Sequence, residues 1–203
     1  MVSARKGEPV IKRFGPYKAR FDGQITLDNT AFLLNDQYIQ VEDPGTLHQL
    51  THVGTTKVAD LLVTRYYLNG ITENGETILQ VIGTEDRIDE VVLFRQVDTI
   101  HPQTEDEWDN IRNMQNEDIF EFNEVGYENV WGSNVAHDET VEASPTLKEE
   151  TYTYPLETAL FKRQISEDNE AELNEFAMVA IEDEERAVVY LGINLLPASV
   201  TII

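Results

Sequence analysis

The chain has 203 residues, 41% of them hydrophobic, no cysteine, and a formal net charge of −23. This is enough apolar material for a core, and it rules out disulfides, thiolate metal sites and cysteine nucleophiles. The acidity argues against nucleic-acid binding, which needs a basic footprint on phosphate. No apolar run approaches the roughly 18 to 20 residues of a membrane-spanning helix.

Met1 to Arg20 lacks the apolar core of a signal peptide, and the missing cysteines suit a reducing compartment. A soluble, cytoplasmic protein is expected. Its charge is unevenly spread. Residues 1–20 carry Arg5, Lys6, Lys12, Arg13, Lys18 and Arg20 against Glu8 alone, a net +5, while the other 183 residues carry 9 basic and 37 acidic groups, a net −28. With Gly7, Pro9, Gly15 and Pro16 interspersed, residues 1–21 read as a flexible basic arm. Such an arm can dock on an anionic surface: the acidic body, a protein partner, or phospholipid.

Short strands are predicted at Gln24–Leu27, Tyr38–Val41 and His48–Val53, with turn chemistry at Asp28-Asn29, Asn35-Asp36 and Pro44-Gly45, and a break or bulge at Gly54. Leu61–Leu68, Thr77–Ile82 and Val91–Val97 then form a meander. Its turns are Asn74-Gly75, a strong hairpin signal, and Thr84-Glu85-Asp86. These strands are apolar on both faces, so a second layer must cover them.

A helix is predicted from about Glu105 to Met114, opened by a capping box from Thr104 to Glu107, with Trp108 and Ile111 on its apolar stripe. Strands follow at Ile119–Phe122 and Tyr127–Val130. Val135–Glu150, polar and acidic, reads as a loop or a bent edge strand. A second meander covers Leu160–Ile165, Glu175–Ile181 and Ala187–Ile193. The expected fold is therefore mainly β: two antiparallel meander-type β units, sandwich or partly open barrel, joined by one short α-helix. Residues 22–102 would form the first unit, 103–116 the connecting helix, and 117–203 the second unit packed on the first.

No motif declares a chemistry. The nucleophile elbow, the P-loop and the dinucleotide fingerprint are absent, so no cofactor and no catalytic residue are assigned. His48 and His52 have metal-ligand spacing only on a helix; on a strand they stand about 13 Å apart. The alternating acids Asp168, Glu170 and Glu172 lack the glycine of a calcium loop, so no metal site is expected. Tyr127 to Gly132, YENVWG, is the most distinctive local signature. Tyr127 and Trp131 there join the arm cations as candidate interaction residues, and Tyr66, Tyr67, Tyr152, Tyr154 and Tyr190 could line a groove or pack the core.

RYYLNG at Arg65–Gly70, LQV at Leu79–Val81, IDEVVLFRQV at Ile88–Val97, TEDEWDNI at Thr104–Ile111, YENVWG, and VVYLGINL at Val188–Leu195 occur in that order. In these segments the chain resembles the bacterial YjfK-like proteins, a family of unknown function. The resemblance implies an association with genes of the phage-shock-protein-A type, hence a role in envelope stress beside a membrane-associated partner, and it brings no catalytic residues.

Two function classes follow. The first is a non-enzymatic acidic interaction protein with a protein partner and peripheral membrane contact through the arm. The second is a small-ligand binder or enzyme with its site between the two β units.

Overall fold

The computed structural model describes residues 12–58, 61–70, 75–84, 86–144, 151–165, 173–182 and 185–203. In chain order these form β1 (Gln24–Leu27), α1 (Thr30–Asn35), β2 (Leu47–Val58), β3 (Leu61–Gly70), β4 (Thr77–Gly83), β5 (Ile88–Ile100), α2 (Glu105–Gln115), β6 (Ile119–Phe122), β7 (Val125–Asn129), β8 (Val135–Ala143), β9 (Tyr152–Gln164), β10 (Asn174–Glu182), β11 (Arg186–Asn194) and β12 (Val200–Ile202), with a 3-10 turn at Pro197–Ser199. The helix opened by Thr104 carries the capping box expected of it.

Strands β2 to β5 run as an antiparallel meander. β5 then pairs with β11, β11 with β10, β10 with β9, and β9 with β8, which returns to β2. Eight strands thus close into an antiparallel barrel. β1 and β12 extend the sheet from the start of β2, and the β6–β7 hairpin hangs on β9.

This overturns the expectation of two meander units joined by a helix. The two meanders are arcs of one barrel, fused directly along β5–β11, and α2 lies outside the ring. Closure depends on β8, whose polar sequence VAHDETVEA reads as a loop or a bent edge strand because its inward positions include His137 and Glu139 beside the apolar ones. Two smaller expectations also fail. A helix, α1, lies between the turn pairs Asp28-Asn29 and Asn35-Asp36. Tyr38–Val41 is not a strand: the N–H groups of Gln40 and Val41 donate to the Glu175 carboxylate at 2.5 and 2.8 Å.

The central strands are apolar on both faces, as their sequences predict, and each face has its own cover. One face lines the barrel, with Tyr67, Ile78, Val92, Phe94, Leu156, Leu160, Phe176, Met178, Val188 and Tyr190. Arg65 of β3 reaches across to Met178 of β10, four strands around the ring (Nη2–Sδ 4.0 Å), and the Phe94 and Phe176 rings meet at 6.5 Å. The other face carries Tyr66, Leu79, Val81, Leu93, Phe161, Val179 and Leu191 beneath Phe14, Phe32, Ile111, Phe120 and Tyr127 from the surrounding segments.

Part of the basic arm belongs to this outer layer. Phe14 and Ala19 form an isolated bridge and are buried, and the Tyr66 hydroxyl donates to the Phe14 carbonyl at 3.0 Å. Gly15, at φ +57°, lies so close to this hydroxyl that a Cβ would overlap it.

Candidate functional site

The barrel interior holds a buried ionic cluster. Alternation along β8 turns Glu139 inward, opposite Tyr154 of β9 and over Gly54 of β2. Gly54 sits inside the strand, not at a break, because any Cβ there would overlap the Glu139 carboxylate; the irregularity falls between Leu50 and His52. Glu139 is fully buried and accepts from Arg65 Nη1 at 2.7 Å, from the Tyr67 hydroxyl at 3.1 Å and from the Tyr154 hydroxyl at 3.2 Å. Arg65 Nε donates to Gln80 Oε1 at 3.0 Å.

Burial, and then the Glu139 charge, push the Tyr67 and Tyr154 phenols well above their ordinary range, so both stay protonated and serve as donors. Burial works against the Arg65 charge. The adjacent Glu139 carboxylate, together with the Tyr67 and Tyr154 hydroxyls, more than offsets it and the guanidinium stays cationic.

Above this cluster the barrel mouth opens into a cavity of about 410 Å³. Tyr67, Val141, Tyr152 and Tyr154 form an aromatic and apolar wall, with the Tyr152 and Tyr154 rings stacked at 5.9 Å. His52, Glu76, His101, Glu182, Glu185 and Arg186 supply the polar rim.

The Tyr190 hydroxyl rises from the interior to 3.0 Å from both Glu76 Oε2 and Glu182 Oε1. Arg186 grips the other oxygen of Glu182, through Nε at 2.9 Å and Nη2 at 2.6 Å. Burial, and next the Glu182 charge, raise the Glu76 carboxyl above its ordinary range.

A family model described as "Protein of unknown function (DUF2491)" matches residues 2–201. The chain belongs to this family. No curated protein and no solved structure matches it. The match supports the unknown function that the resemblance implied; it carries neither the YjfK-like name nor a bacterial origin.

In this DUF2491 protein the cavity lies at the mouth of one barrel and not between two β units. Of the five tyrosines named as groove or core residues, Tyr67, Tyr152 and Tyr154 line the cavity and Tyr190 reaches its rim, while Tyr66 faces the outer core. Sequence reasoning passed over Arg65, Glu76, Glu139 and Glu182. The one local signal was an acid, Glu139, at an inward position of a period-2 pattern, and it becomes readable only once β8 is known to be a strand.

The candidate interaction residues are scattered. Arg5 and Lys6 lie outside the described residues. Lys12 pairs with Glu142, Lys18 approaches Asp86 at 3.8 Å, Arg20 pairs with Asp22 at 3.1 Å, and Arg13 donates to the Lys18 carbonyl at 3.5 Å. Tyr127 is fully buried, with its hydroxyl donating to Glu175 at 2.9 Å, whereas Trp131 is 36% exposed on the loop after β7.

His48 and His52 share β2, but His48 Nε2 lies 3.0 Å from the Gly45 carbonyl and His52 packs edge-on against the Tyr67 ring. Among the described residues no group of three histidines or acids is placed to hold a metal ion, and no helix is long and apolar enough to cross a membrane. The acids Asp168, Glu170 and Glu172 and the turn residues Asn74 and Glu85 lie outside the described residues.

Proposed function

We propose that this protein binds a small organic molecule at the mouth of its barrel. The observation that carries the reading is the cavity of about 410 Å³, walled by Tyr67, Tyr152 and Tyr154 and rimmed by converging polar groups. Sites for small molecules are concave, largely aromatic or apolar, and fixed by a few oriented polar groups. An eight-stranded barrel has the size at which the interior is either filled by side chains or holds one small ligand. Here the lower part is filled by the Arg65–Glu139 cluster, whose hydrogen bonds fix the Tyr67 and Tyr154 rings, so the cavity wall is rigid before any ligand arrives.

The other reading is a non-enzymatic acidic cytoplasmic interaction protein with an envelope-stress partner, and it draws on the charge distribution, the absence of catalytic motifs and the family resemblance. Lys12, Lys18 and Arg20 of the arm face carboxylates of their own chain, which favours the cavity.

A two-dimensional NMR screen of small aromatic fragments tests the proposal. Shifts should concentrate on His52, Val141 and Tyr154, and Tyr152→Ala, at a half-exposed wall position, should weaken binding about two- to tenfold by loss of one aromatic contact. Fragments that leave these amides unmoved would overturn it.

A further inference from the structure

The hydrogen-bond arithmetic at the rim points to a class of ligand. The Tyr190 hydroxyl has one proton, and two carboxylate oxygens, Glu76 Oε2 and Glu182 Oε1, each stand 3.0 Å from it. A phenol donates to one acceptor at a time, so one of these oxygens lacks a donor from Tyr190. The shortage is met by a proton on Glu76, by water in the open cavity, or by a donor group of a ligand, and a cationic donor answers both carboxylates at once. Arg186 is turned to Glu182 Oε2 instead, through Nε and Nη2.

The rest of the cavity suits a cation as well. Aromatic faces attract ammonium groups, and three tyrosines line one side. The chain carries a formal net charge of −23, which draws cations and repels anions over the distance of approach.

We propose that the cavity takes an organic ammonium ion, whose N–H groups donate to Glu76 and Glu182 while its apolar body lies against Tyr67, Tyr152 and Tyr154. This inference rests on the ligand-binding reading and narrows it. It also makes binding proton-linked. At pH values low enough for Glu76 to carry a proton, the ammonium takes the place of that proton, which leaves to solvent. Among the described residues the groups that share the cavity with Glu76 are Glu182 and Glu185 from the end of β10 and its turn, Arg186 and Tyr190 from β11, His52 from β2, and His101 beyond β5. Burial and the Glu182 charge keep the Glu76 carboxyl protonated to higher pH than an ordinary glutamate. Ammonium affinity therefore falls as pH is lowered through that titration.

Benzylammonium, the neutral benzyl alcohol and the anionic benzoate serve as probes in NMR titrations of the full chain. Benzylammonium is expected to bind about tenfold or more tightly than benzyl alcohol at about pH 8, and to lose that advantage as pH is lowered through the Glu76 titration. Glu76→Gln should cut the benzylammonium affinity about tenfold and the benzyl alcohol affinity by no more than about twofold, with the unchanged amide spectrum away from the cavity showing that the variant is folded. Equal binding of alcohol and ammonium, or tighter binding of benzoate, overturns the cation assignment while the ligand-binding reading stands. Failure of all three probes to shift the cavity amides overturns both.

Discussion

Two fully buried glutamates sit on opposite faces of the same sheet, and their partners give them different work. Glu175, on the outer face, accepts from the backbone N–H groups of Gln40 and Val41, from the Tyr127 hydroxyl, and from Nε and Nη2 of Arg163 at 2.8 and 2.6 Å. Arg163 belongs to β9 of the ring, but the other donors come from segments that cover the barrel, so the carboxylate acts as a staple holding that cover in place. Glu139, on the inner face, is served by side chains alone, Arg65, Tyr67 and Tyr154, and two of these also wall the cavity. A buried charge bound by distant backbone fastens a structure, whereas one bound by side chains around a void shapes a site.

Removing one cation from each cluster separates the two cases. Arg65→Met leaves Glu139 with two phenols and no counter-charge, and should cost about 3–5 kcal/mol in urea denaturation. Arg163→Met leaves Glu175 with three donors, two of them backbone, and should cost about 1–3 kcal/mol. Equal losses would remove the distinction between the clusters. Gly54→Ala presses a methyl group into the Glu139 carboxylate and to within 3.1 Å of the Tyr67 ring. Its expected cost is about 1–3 kcal/mol by overpacking, with loss of fragment binding because the Tyr67 wall shifts.

The smallest effect should be at Glu76. Its folded-state pKa is raised, so its contribution to stability is fully present below the unfolded value and is lost as pH rises through the folded one. Glu76→Gln lacks this penalty. It should match the wild type in thermal melts near about pH 4 and exceed it near about pH 8 by no more than about 1 kcal/mol, since the side chain is only partly buried. A variant less stable at the higher pH would contradict the raised titration.

Much of the strand content was readable from sequence. Leu61–Leu68, Thr77–Ile82, Val91–Val97 and Glu175–Ile181 are runs of β-branched, aromatic and long apolar residues, and their apolar character on both faces correctly demanded two covers. What failed was closure. β8 lines the barrel with a charge whose partner, Arg65, stands 74 residues earlier in the chain, and local patterning treats such a residue as solvated. Tyr38–Val41 failed for a related reason, because its backbone donors are satisfied by a carboxylate 135 residues away and not by a neighbouring strand. The site was hidden in the same way. Glu76 and Glu182 are ordinary turn-flanking acids in sequence, and only the ring brings them to one hydroxyl.

The seam between β2 and β8 also bears on how the chain folds. It joins four residue pairs, His52–Thr55 with Thr140–Ala143, where the β8–β9 seam joins seven. The paired residues are far apart in the chain, so loop-closure entropy opposes this contact until the two arcs are in place. Closure should then be the last and slowest step, with the Arg65–Glu139 pair latching the ring from inside and Lys12–Glu142 from outside. Until it occurs, β2 and β8 remain open edges, and self-association during refolding should track the lifetime of that unlatched ring.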